Sequence, residues 1–156
     1  MDIIETQHLN QFQKEVLFKL WNENYPSFLK YTSLSELDEY LNNLINAQHF
    51  FLFNNEEHIV SWAFTFTRED EKWFAIIVDK DFQNKGCGTV LLNHLKSKEA
   101  ILNGWMIDSN DYKKTDGSPY IAPAAFYRKN NFEIDYSVRL NHPKFSAVKI
   151  QWQHEV

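Results

Sequence analysis

The feature that most constrains the fold is a change of rhythm between residues 76 and 89. Ile76, Ile77 and Val78 form an apolar run that reads as a buried strand. The polar stretch Asp79-Lys80-Asp81-Phe82-Gln83-Asn84-Lys85 breaks it, and Gly86-Cys87-Gly88-Thr89 follows. Beyond Gly88 the apolar residues Leu91, Leu92 and Leu95 recur on one helical face. A strand therefore feeds through two glycines into the start of a helix. Glycines there let the backbone approach a ligand and present several N–H groups at once. The helix start adds partial positive charge, which suits a phosphate or pyrophosphate.

The rest of the chain supplies the surroundings. Leu9, Phe12, Val16, Leu17, Leu20 and Trp21 fall on one face of a helix that Pro26 closes. Ser33 and Glu36 have capping-box spacing at the start of a second helix carrying Leu34, Leu37, Leu41, Leu44 and Ile45. The segments 49–54, 59–67 and 72–78 are rich in aromatic and β-branched residues. Short polar breaks separate them, which predicts an antiparallel meander. Ile101 to Ile107 reads as a buried strand, Asp108 to Tyr120 as a loop, and Pro123 opens a short helix through Lys129. Phe132 to Leu140 and Ala147 to Trp152 close the chain as two strands. The predicted order is β-α-α-β-β-β-α-β-α-β-β, an α/β (α+β) class with a mixed sheet.

At 156 residues, with no linker or repeat, a single domain spanning 1–156 is expected. A net charge of −5 argues against a nucleic-acid partner held by a basic surface. The lone cysteine, Cys87, leaves no intrachain disulfide, and the histidines show no metal spacing, so no metal is expected. The chain start lacks the basic-then-apolar layout of a signal peptide. No apolar run approaches the ~18 residues of a membrane span. A cytoplasmic protein without a membrane partner is the expectation.

Two familiar phosphate loops do not fit. The third glycine of G-x-G-x-x-G would fall at Leu91, and no G-x-x-x-x-G-K-[ST] occurs. Gln83-x-x-Gly86-x-Gly88 does resemble the Q/R-x-x-G-x-G/A signature of the GNAT superfamily of acetyl-CoA-dependent N-acetyltransferases. Val78 stands five residues before Gln83, as the strand-four residue does in that family. Downstream, Ala125-Phe126-Tyr127-Arg128-Lys129-Asn130-Asn131-Phe132 resembles the segment A-x-x-L-Y-x-x-x-G-F. The resemblance implies a GNAT-like fold, acetyl-CoA as co-substrate and an amine acceptor, either a small molecule or a peptide.

It also implies roles. The main-chain amides of Gln83, Asn84, Lys85, Gly86, Cys87, Gly88 and Thr89 would hold the CoA pyrophosphate. The strand Ile76, Ile77, Val78 would pair with the pantetheine arm, with the Val78 amide facing the acetyl carbonyl. Tyr127 would protonate the leaving thiolate. A fixed N–H donor is useful where an oxyanion develops, and a phenol of pKa ~10 can supply the proton. Three departures stand out. Asn131 replaces the family glycine, and Asn is the next-best residue for a left-handed cap. Tyr120 replaces an asparagine common seven residues before the tyrosine, and the Asp108–Tyr120 loop is long. These mark a subfamily-specific acceptor site.

Other readings compete. Cys87 at a helix start can be an activated thiolate, yet no acid or His is placed to activate it, so it reads as a small buried filler. Glu71, Asp79 and Asp108 are candidate bases for the attacking amine, and a water relay is equally open. Trp62, Phe64, Phe66, Trp73 and Trp105 read mostly as core, with some available to an acceptor cleft for a hydrophobic or cationic amine. The polar run from Asp108 to Tyr112 would suit a cationic acceptor. The C-terminal strands, including Trp152, offer an edge for a homodimer. A non-catalytic acyl-CoA binding or sensing module is the alternative function.

Overall fold

The computed structural model describes residues 2–155, so positions 1 and 156 of the expected domain lie outside the described residues. β1 (Asp2–Thr6) leads into α1 (Gln11–Asn24), a 3-10 turn at Ser27–Leu29 and α2 (Leu34–Asn42). β2 (Ile45–Phe53), β3 (Ile59–Arg68) and β4 (Glu71–Val78) follow. A 3-10 turn at Lys80–Phe82 connects to α3 (Cys87–Lys96). Then come β5 (Ile101–Ile107), α4 (Ala124–Lys129), β6 (Glu133–His142) and β7 (Phe145–Gln153). The order agrees with the sequence reading throughout. All strands join one seven-stranded sheet ordered β1-β2-β3-β4-β5-β7-β6. β2, β3 and β4 form the expected antiparallel meander, β1 adds antiparallel to β2, β4 meets β5 in parallel, and β5, β7 and β6 are antiparallel again.

Strand alternation sends alternate side chains to two cores. Trp62, Phe64, Trp73 and Ile77 pack under α1 and α2 against Leu17, Trp21 and Leu37. On the other face Phe74, Leu102, Met106 and Ile150 pack with Leu91, Leu92 and Leu95 of α3 and Tyr127 of α4. Ser33 caps α2 by accepting the Glu36 N–H at 3.3 Å. α1 carries the full reciprocal capping box, Asn10 with Gln13, which its sequence did not signal by the usual Ser/Thr–Glu pattern. Pro123 sits at the N-cap of α4, one position before the expected first turn. Among the described residues no helix is long and apolar enough to cross a membrane. The dimer expectation needs one correction: β7, with Trp152, is interior to the sheet, and the open edge on that side is β6. Trp152 instead packs beneath the Lys96 ammonium, 5.3 Å from its ring centroid.

His49 of β2 is 3% exposed, and its Nδ1 accepts the Trp62 indole N–H at 3.1 Å. Burial pulls its pKa from 6.5 down to about 4. The folded chain thus keeps His49 neutral where the unfolded chain takes up a proton. Its stabilisation is complete above pH ~6.5 and declines as the pH falls toward ~4. The unfolding free energy is expected to drop by about 2 kcal/mol between pH 7 and pH 5 through this group. Urea titrations at the two pH values check it. A slope of the same size in His49→Gln would remove His49 as the source.

Candidate active site

The sheet splits beside β4. One edge of β4 pairs with β3 along its whole length, from Ser61↔Val78 to Arg68↔Glu71. The other edge meets β5 at a single register pair, Trp73↔Asn103. Beyond it β4 and β5 share no further register pair, while the opposite edge of β5 stays paired with β7 from Ile101 to Ile107. Bulk at the fork accompanies the parting. Trp73 and Trp105 meet at 5.3 Å on one face, their rings tilted by 31°. On the other face the Phe74 ring lies so close to Gly104 that a Cβ there would sit 3.0 Å from it.

The Asp79 N–H donates to the Val60 carbonyl at 2.9 Å, toward β3. Strand alternation therefore turns the N–H groups of Val78 and Ile76 away from β3, into the split, and that of Ile77 toward β3. Gln83 reaches back and donates its side-chain amide to the Val78 carbonyl at 3.1 Å. Ile77 points its side chain into the core under α1. Of the three strand residues implicated by sequence, Ile76 and Val78 face the split. Ile77 supports it from the β3 side.

The turn after β4 is built from local chemistry. Asp79 accepts the Asp81 N–H at 3.0 Å through its side chain and the Phe82 N–H at 2.8 Å through its carbonyl. Asn84 and Gly86 are left-handed, with φ of 61° and 82°. Gly86 is the N-cap of α3 and brings no capping side chain, so the first amides of the helix, from Cys87 through Thr89, have no side-chain cap. Consecutive amides of this kind form an anion cradle. Lys85 folds back onto the Asp81 carbonyl at 3.1 Å. Gly88 is held by packing: a Cβ there would lie 2.8 Å from Phe126 Cζ and 3.3 Å from Val78 Cγ2. Cys87 is 2% exposed and packs with Leu52 and Val60, which is the filler role.

Tyr127 of α4 comes to the same end of the sheet. It is 7% exposed, and the rings of Phe74, Phe126 and Phe132 meet it edge-on. Burial, reinforced by the nearby Tyr120 phenol, holds its pKa well above the usual tyrosine value. Burial also pushes Tyr120 up to about 12. Tyr25, the C-cap of α1, is raised by burial and then by the Tyr120 and Tyr127 phenols. Burial thus keeps the phenols of Tyr25, Tyr120 and Tyr127 protonated. Sequence reasoning had marked Tyr120 only as a departure and had not marked Tyr25 at all.

The candidate bases fare differently. Glu71 is exposed at the start of β4, the end opposite Val78. Asp79 is spent on its turn, and Asp108 is bound bidentately by Arg139 at 2.9 and 3.3 Å. The Asp108–Tyr120 loop docks on the connection between α1 and α2. Ser27 N–H donates to Lys113 O at 2.8 Å, Thr115 Oγ1 donates to Asn22 O at 2.9 Å, and Tyr112 meets Phe28 edge-on at 4.7 Å. Within the loop Asp116 accepts from the Ser118 hydroxyl at 2.6 Å, while Asp111 is exposed. Among the described residues no group of His, Cys, Asp and Glu could hold a metal ion.

Residues 46–134, more than half of the chain, match the family model for the acetyltransferase (GNAT) domain. No curated protein sequence matches. Solved structures resemble it end to end. An aminoglycoside 6'-N-acetyltransferase complexed with coenzyme A superimposes with a TM-score of 0.71 at 14% identity, covering 98% of this chain and 97% of that one. The ribosomal-protein-S18-alanine N-acetyltransferase of Escherichia coli gives 0.65 at 18% identity, with 99% and 96% covered. A spermidine N-acetyltransferase chimera from Vibrio cholerae gives 0.65 at 15%, with 98% and 96% covered. The split strand, the glycine turn and the tyrosine on α4 fit acetyl-CoA as co-substrate, and the chain belongs to the GNAT family of acetyltransferases.

Proposed function

We propose that the chain transfers an acetyl group from acetyl-CoA to a primary amine by direct attack in a ternary complex. The observation that carries this reading is the split: donors and acceptors of β4 are turned away from β3 beside an uncapped helix start. An extended molecule with amides of its own pairs with such an edge. Amides around Gly86, Cys87, Gly88 and Thr89 hold the pyrophosphate, and the Val78 N–H is the donor for the acetyl carbonyl. Gln83 keeps the Val78 peptide oriented by holding its carbonyl.

Acetyl-CoA supplies the activated thioester. The amine nitrogen forms the C–N bond as the C–S bond breaks. Tyr127 gives its proton to the departing sulfur and regains one from solvent, while the amine's proton leaves through water. Tyr127 is protonated throughout the neutral range, because its surroundings disfavour the phenolate.

A non-catalytic acyl-CoA binding module is the second reading. The observation that favours it is the commitment of Asp79 and Asp108 to structural contacts. Calorimetric titration with acetyl-CoA, using AMP as control, followed by thiol release across an amine panel, separates the two. The enzyme reading expects micromolar binding that needs the pantetheine–pyrophosphate portion, and amine-dependent thiol release. Binding with no release from any amine supports the module. No binding at millimolar ligand overturns both.

A further inference from the structure

A cavity of about 450 Å³ opens between the β1–α1 connection, the end of α2 and the first residues of β2. It lies away from the split. Ile45 beside it pairs with Thr67, and Thr67 pairs with Lys72 near the start of β4, the end opposite Val78. The cavity sits where β2 leaves its ladder. The register shifts between Ile45 and Gln48, Asn46 takes a left-handed φ of 55°, and Asn46 and Ala47 line the gap.

His49 is the buried polar group of this cavity. Its Nδ1 accepts the Trp62 indole N–H at 3.1 Å, and an indole nitrogen only donates, so the imidazole proton sits on Nε2. The rings of Trp62 and Phe51 stack with the imidazole at 5.9 and 6.5 Å and fix its orientation. Among the described residues the Trp62 bond is the only one the ring makes, so Nε2–H has no partner. The sealed polar atoms without a partner are Asn24 Oδ1, Ser61 Oγ and Trp73 Nε1, and His49 Nε2 is not one of them. It therefore keeps a surface, and the space that His49 lines is this cavity. A buried donor of this kind calls for an acceptor.

The rest of the lining sets the chemistry of that acceptor. Lys14 and Asp38 are joined at 3.0 Å, so the ion pair in the wall cancels its own charge. A charged ligand would lose its water without meeting a free counter-charge. Gln7 and Asn42 bring side-chain amides that are exposed to the cavity, and Asn46 spends its amide N–H on Thr67 at a long 3.4 Å. An amide offers a donor and an acceptor together, which a hydroxyl group matches. No Phe, Tyr or Trp lines the cavity among the described residues, so a planar base finds no ring to stack on.

We propose that this cavity is a binding site for an uncharged polyhydroxylated compound, a sugar or polyol, one of whose hydroxyl oxygens accepts the His49 Nε2–H. The site is separate from the split, and the inference does not depend on the transferase reading.

The test titrates the whole chain at neutral pH, without acetyl-CoA, with glucose, sorbitol, glucuronate and glucosamine. The readout is the Trp62 indole N–H resonance, identified by its loss in Trp62→Phe. It reports on the site because a new bond at Nε2 polarises the imidazole that accepts the indole. Glucose or sorbitol should move it saturably in the millimolar range, the strength that a few neutral hydrogen bonds give. Glucuronate and glucosamine should bind at least tenfold more weakly than glucose. Ala47→Phe fills the cavity without touching the imidazole and should weaken binding tenfold or more. Asn42→Leu, exposed on the last turn of α2, should do the same in part and carries the test if Ala47→Phe does not fold. No saturable shift from glucose or sorbitol below molar concentration overturns the proposal. So does tighter binding of either charged sugar, or binding that is unchanged in the folded variants.

Discussion

Gly86→Glu is expected to weaken acetyl-CoA binding on the order of 100-fold while the protein stays folded, a loss of ~2.7 kcal/mol in binding. Gly86 has a φ of +82°, and no heavy atom lies within 4 Å of the position its Cβ would take. The substitution therefore meets no steric obstacle in the fold. Its structural penalty is the left-handed backbone alone, about 1 kcal/mol for a side chain. For a domain of this size that lowers Tm by about 2–4 °C. The functional penalty is larger because the new carboxylate stands at the uncapped start of α3. It competes for the amides that face a phosphate and repels the phosphate itself. Gly86→Asn is the control, since Asn tolerates the left-handed region and adds no charge. It should keep affinity within a few-fold. Calorimetry with thermal unfolding reads both quantities. Unchanged affinity in Gly86→Glu would show that the cradle does not hold the ligand.

The same glycine shows how far the sequence could be read. The strand-turn-helix segment was legible because every contact in it is local. The five-residue spacing of Val78 and Gln83 is realised as the hydrogen bond from Gln83 to the Val78 carbonyl. Asn131, standing where the family has glycine, takes a φ of +66°. Helices and strands were legible for the same reason, since their periods repeat within a few residues. The docking of the long loop was not. Thr115 reaches Asn22 and Asp108 reaches Arg139 across long stretches of chain. Such contacts follow from how loops dock on a finished sheet, and no local spacing encodes them. Asp108 illustrates the consequence: as a strand-end acid it resembles a base, and only the tertiary structure brings Arg139 against it. Trp73 carried the core signal correctly, whereas Trp105 is half-buried at the rim of the same cluster. Their place at the fork became visible only with the β4–β5 register.

Tyr127→Phe should lower kcat about 100-fold and leave the affinity for acetyl-CoA within twofold. General-acid assistance is typically worth 10²–10⁴-fold, and the low end applies where water can also deliver a proton. The Tyr127 hydroxyl makes no hydrogen bond among the described residues, while its ring is held by Phe74, Phe126 and Phe132. Removing the oxygen keeps the packing and leaves no partner unsatisfied, so stability should not fall. The pH profile gives a second readout. The folded pKa lies above the usual value of ~10, so the acid form persists across the assay range. Tyr127 therefore contributes no descending limb at alkaline pH, and kcat should rise with pH to a plateau as the amine loses its proton. In Tyr127→Phe the plateau should drop while its midpoint stays fixed, because the titrating group is the acceptor. A midpoint that moves with the substitution would make Tyr127 part of the titration rather than the proton donor. An unchanged plateau would reduce Tyr127 to a core ring and shift the proton donation to Tyr120 or to water.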